Sequence, residues 1–133
     1  MGHSLEQAKH NESFHLYLCA VTSDRFIDWK ITCLFYAALH LVKELASVKR
    51  VSLGDKHELM LDNINPRSYN RKISVKLDFY QSYSILFRHS RSARYDGFIN
   101  YEEFIKSKIP VYLECQNIYA YLKKEVIRLG VRI

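Results

Sequence analysis

The stretch from Asp28 to Val42, DWKITCLFYAALHLV, limits what this chain can fold into more than any other segment does. As a helix it is apolar on nearly every side. A helix of that kind is stable in water only when other elements enclose it. The segment therefore predicts the central helix of a bundle, with Trp29, Phe35 and Leu41 mostly buried. Trp29, Tyr36 and His40 fall on one stripe of it, so the stripe also carries a polar group.

Size and turn content agree with this. A chain of 133 residues forms one domain, residues 1–133, because a chain this long can bury roughly two thirds of its unfolded surface around a single core. Gly 4 and Pro 2 leave few turn-formers for a many-stranded sheet. No apolar run approaches the roughly 18 residues of a membrane span, and MGHSLEQAKH has no apolar signal core, so a cytoplasmic protein with no membrane partner is expected. Cys19, Cys33 and Cys115 are odd in number and lack C-x-x-C spacing. Reduced, mostly buried thiols are expected, with no zinc or other metal and no cofactor.

Caps and periodicity divide the chain into helices. Ser4 and Gln7 read as a capping box for a first helix reaching about Val21, with Phe14, Leu18 and Val21 as its apolar stripe and Tyr17 beside it. Ser23 or Asp24 caps the second helix, from about Arg25 to Val48. Asp55 and Glu58 cap a short helix ending near Ile64, and Asn65 with Pro66 opens a third long helix running to about Arg94. Its apolar line, Ile73, Leu77, Tyr80 and Phe87, continues into Arg91 and Arg94, which directs both arginines inward. Gly97 provides a turn, and Asn100 with Glu103 caps a last helix to about Leu129 whose stripe runs through Tyr101, Ile105, Tyr112, Cys115, Tyr119, Leu122, Val126 and Leu129. Pro110 should kink or restart it. The fold class is all-α: an antiparallel up-down four-helix bundle with an additional short helix.

The order and spacing of FYAALHLV, DKHELMLDNI, SRSARYDG and NYEEFIKSKIPVYLECQNIYAYLKKEV resemble the HEPN domain of higher eukaryotes and prokaryotes over nearly the whole chain. The resemblance implies an all-helical, commonly homodimeric domain. Such domains occur in metal-independent ribonucleases, in toxin–antitoxin pairs with small nucleotidyltransferases, and in non-catalytic nucleotide-associated relatives. In an active member an arginine steadies charge on the phosphate, and a histidine a few residues later acts as general base on the ribose 2′-hydroxyl.

Carried onto this chain, the arginine position falls on Arg94, but no histidine lies between Tyr95 and Tyr101. Arg50 and His57 have the spacing elsewhere, with VSLGDK between them; the alternative is a solvated Arg50 and a His57 that simply starts a helix. His40 either reaches a cleft or is a core or dimer contact. Arg91 and Arg94 either grip a phosphate or pair with carboxylates, and Tyr95 either touches the ligand or fixes the loop. The catalytic candidates are therefore His57 and His40, and the phosphate- or RNA-binding candidates Arg91, Arg94, Arg50 and Tyr95.

A net charge of +6, with basic residues from Arg67 to Arg94 expected on one long helix, fits a phosphate-bearing partner, although a solvated helix face would look the same. Two readings stay open. One is an RNA- or nucleotide-binding module with a degenerate ribonuclease site. The other is a non-catalytic dimerising subunit that partners a nucleotidyltransferase.

Overall fold

The computed structural model describes residues 3–22, 25–95 and 101–133, with backbone alone for Arg94, Tyr95 and Tyr101. Five helices occur among the described residues: α1 (His3–Val21), α2 (Ile27–Val48), α3 (His57–Ile64), α4 (Leu77–Tyr95) and α5 (Tyr101–Arg128). The protein is an all-helical bundle with a short added helix. Cross-links between side chains fix its directions. His15 meets Tyr112 while Glu12 meets Lys123, so α1 and α5 run antiparallel. Lys108 reaches Ser92 while Lys76 reaches Glu125, so α4 and α5 are antiparallel too.

α2 packs against α1, α4 and α5, and most of its side chains are buried. Ile31, Phe35, Ala37, Ala38 and Leu41 are essentially shut off from water. Contrary to the expectation that no segment is long and apolar enough to cross a membrane, the 22 residues of α2 meet that test by length and composition. Their apolar surface is largely covered by the neighbouring helices.

Trp29 departs from the sequence reading. It is 56% exposed, while Tyr36 and His40 on the same stripe of α2 are half-buried. Helix α1 departs as well. Phe14, Tyr17 and Val21 face outward, and the residues it buries are Ala8 and His15. Lys30, Tyr112 and Tyr119 bring polar atoms to the groove where α1 lies, and buried polar atoms need polar partners. α1 therefore presents Glu12 and His15 rather than its apolar stripe.

Several boundaries also move. Ser4 lies inside the first turn of α1 and Gln7 bonds to Asn11, so no capping box forms. Phe26, in the left-handed region at φ 57, precedes α2. Ser23, Asp24, Gly97 and Asn100 lie outside the described residues. α3 starts at His57 with Lys56 as its uncapped flanking residue, not at Asp55.

Residues 65–76 form a loop, not the start of a long helix. Short polar side chains there bond locally and compete with helix formation. Asn65 accepts from the Arg67 N–H at 3.0 Å, while Ser68 and Asn70 both donate to the Asp62 carboxylate. Those bonds hold the Asp62 carboxyl below its usual range. Consequently Arg67, Arg71, Lys72 and Lys76 belong to the loop, and the core line of α4 is Phe79, Tyr83, Leu86, Ser90 and Ala93. α5 runs unbroken through Pro110; of its expected stripe it buries Tyr112, Cys115, Tyr119, Leu122 and Val126, while Ile105 and Leu129 are half-buried.

Candidate functional site

The turn after α2 builds the site. Arg50, at φ 59, and Gly54, at φ 87, both lie in the left-handed region and reverse the chain. A Cβ at Gly54 would also have to push aside the tip of the Leu59 side chain. Leu53 is buried as an anchor, and the Asn63 side-chain amide donates to its carbonyl at 3.0 Å, tying α3 to the turn. This places His57, the first residue of α3, against α2 and α4. Its ring lies 5.6 Å from that of Phe35 and 5.0 Å from that of Phe87, centroid to centroid.

Around His57 opens a cleft of about 580 Å³, lined by Tyr36, Asp55, Lys56, His57, Glu58, Phe87 and Arg91. Arg91 is exposed, not turned inward as the apolar line of α4 suggested. Phe87, one turn earlier, takes up the core contact, and the Arg91 guanidinium sits 5.7 Å from the centroid of its ring. His57 and Arg91 therefore rest against the same aromatic ring, although 34 positions separate them in sequence. Tyr36 forms an aromatic wall, held edge-on to Phe35 at 5.3 Å.

The other expected residues do not all gather here. His40 is half-buried one turn beyond Tyr36 and does not line the cleft. Burial first, then the nearby Lys43 ammonium, hold its imidazole below the usual histidine range. Arg50 is exposed past the end of α2 and is also outside the lining, so the Arg50–His57 spacing does not place that pair together in the cleft. Arg94 and Tyr95 close α4, and their side chains lie outside the described residues. The sequence reading missed Tyr36, Asp55, Lys56, Glu58 and Phe87 as lining residues. DKHE, four polar residues between the Gly54 turn and the apolar face of α3, is the signal that marked the rim.

Among the described lining residues, Lys56 and Arg91 are opposed by Asp55 and Glu58. The first turn of α3, which the Lys56 side chain does not cap, adds the positive end of a helix, suited to an anion. Together these groups can hold a ligand that carries an anion and hydrogen-bond donors, and the aromatic walls can stack on a flat ring. Among the described residues no three His, Cys, Asp or Glu side chains group as metal ligands. Comparison with family models, curated proteins and solved structures gave no match, so the functional reading rests on this geometry.

Proposed function

We propose that the protein is a HEPN-like RNA- or nucleotide-binding module and that the cleft between α2, α3 and α4 is its binding site. The observation that carries this reading is the meeting of His57 and Arg91 on the Phe87 ring at an open cleft. Arg91, Lys56 and the start of α3 contact the phosphate. Asp55 and Glu58 accept hydrogen bonds from ribose hydroxyls or base amines, which a bare phosphate lacks. Tyr36 stacks on the base. Where the ligand is RNA, His57 stands as general base toward a 2′-hydroxyl and Arg91 steadies the phosphate, the chemistry of a metal-independent ribonuclease.

Binding of a short single-stranded RNA, measured across a salt series, tests this. Arg91→Ala should weaken binding and lower the salt slope by about 0.7 for the one lost phosphate contact. Arg88→Ala, which removes an exposed cation of α4 outside the cleft lining, should change affinity less. Equal losses in both variants would show a diffuse charge effect and reject the cleft as the site.

A second reading is favoured by one separate observation, the outward apolar face of Phe14, Tyr17 and Val21 on α1. In that reading the chain is a homodimerising subunit, and a nucleotidyltransferase is its further partner. Sedimentation should then give a mass near twice 15.8 kDa. A monomer at tens of micromolar, roughly where modest interfaces assemble, would remove it.

A further inference from the structure

Far from the cleft in sequence, three reactive side chains meet between α1 and α5. The Cys19 thiol lies 3.1 Å from the Tyr112 hydroxyl and 3.6 Å from His15 Nε2, and that hydroxyl lies 2.6 Å from the same Nε2. His15 and Tyr112 are buried, whereas Cys19 is exposed. A solvent-reachable nucleophile thus stands beside a hydroxyl that leads to an enclosed base. With the imidazole proton on Nδ1, Nε2 accepts from the Tyr112 hydroxyl, and the oxygen of that hydroxyl accepts from the thiol.

Burial first, then the charge of Lys30, hold the His15 imidazole below its usual range and so neutral, with its lone pair able to take a proton. The groups around it are Lys30 from α2, Tyr112 from α5, and Glu12 and Cys19 from its own helix. Tyr119 and Lys123 of α5 engage the Glu12 carboxylate. Cys33 and Cys115 are buried, and burial raises their thiols to about 11 and about 12. Thiol chemistry in the folded protein therefore centres on Cys19.

We infer that Cys19 is a base-assisted thiol that exchanges with small disulfides, its proton passing through the Tyr112 hydroxyl to His15. As Sγ bonds to one sulfur of a disulfide RSSR, its proton moves to Tyr112 Oη and the Tyr112 proton moves to Nε2. The S–S bond breaks, and the departing RS⁻ takes a proton from the imidazolium through solvent. The products are the mixed disulfide Cys19–S–S–R and RSH. The adduct displaces the thiol from Tyr112 and weakens one of the polar attachments between α1 and α5.

Bis(2-hydroxyethyl) disulfide and peptide mass mapping test the inference on the full chain. At pH 7, Cys19 in the folded protein should react faster than in the same chain unfolded in guanidinium, on the order of tenfold or more for base assistance. Cys33 and Cys115 should stay unmodified until unfolding. Tyr112→Phe, which keeps the ring, and His15→Gln should each abolish the advantage. The wild-type rate should stay flat from about pH 8 down to the ordinary histidine value of 6.5, whereas an unassisted thiol loses about tenfold per pH unit below its own pKa. A folded-state rate at or below the unfolded one overturns the inference. So does an ordinary thiol pH profile, or an undiminished rate in either variant.

Discussion

At the scale of single residues, burial of ionisable groups between α1 and α5 gives the protein an acid sensitivity with a definite sign. A buried histidine whose pKa is lowered on folding binds fewer protons than it does in the unfolded chain. Stability therefore falls as pH drops below 6.5, the ordinary value, toward the folded one. His15 contributes to this within the α1–α5 seam, and His40 of α2 acts in the same sense outside it. Burial disfavours the Glu12 charge, yet hydrogen bonds from Tyr119 and Lys123 outweigh that and hold its carboxyl below 4.5. Its contribution is present above that value and is lost as pH falls through the folded pKa. The melting temperature should accordingly decline in two stages between pH 7 and pH 3. His15→Gln should flatten part of the first stage, and an unchanged profile would refute the assignment. Tyr83 gives a second residue-scale prediction. Its ring is buried against Phe35, but its hydroxyl has no hydrogen-bond partner among the described residues. Tyr83→Phe should leave thermal stability unchanged or raised, since it removes an unsatisfied polar atom. By contrast, Phe35→Ala should cost about 3–5 kcal/mol in chemical denaturation. The sequence identified Phe35 and Leu41 as core because every arc of α2 near them is apolar. It misplaced Trp29 because periodicity tells which residues share a face, not whether a neighbour covers it.

At the scale of elements, the departures share one cause: polar side chains chose partners that no apolar pattern records. α1 turns Glu12, His15 and Cys19 toward α5 because Tyr112, Tyr119 and Lys123 wait there. The Asn65–Pro66 signal opens a loop because Asp62, six and eight residues before its donors, gathers Ser68 and Asn70. α5 is the opposite case. The centre of its stripe was legible, and the buried line through Cys115, Leu122 and Val126 carries the helix past Pro110 despite the missing N–H. Pro110→Ala should therefore restore a backbone hydrogen bond without disturbing the core. It should stabilise the protein by up to about 3 kcal/mol in urea unfolding. A destabilised variant would mean that the proline shapes the helix in a way the rest of α5 depends on.

At the scale of the whole molecule, α2 determines both the bundle and the cleft. One arc of it meets α1, α4 and α5, and the other, with Tyr36, forms a wall beside His57 and Arg91. That the chain is an all-helical bundle with an added short helix could be read from its sequence, because long amphipathic segments joined by short connections leave few other solutions. The site was legible only in part. His57 and Arg91 were each candidates, but their meeting depends on the reversal at Arg50 and Gly54 and on the Phe87 ring beneath both, which no spacing rule encodes. Imidazole NMR tests the proposal that this cleft receives a nucleotide unit. During titration with a short single-stranded RNA, the His57 ring resonances should shift saturably, while those of the exposed His10 and of His15 stay in place. Shifts at His10 or His15 without one at His57, or no shift at any histidine at low salt, would contradict the claim.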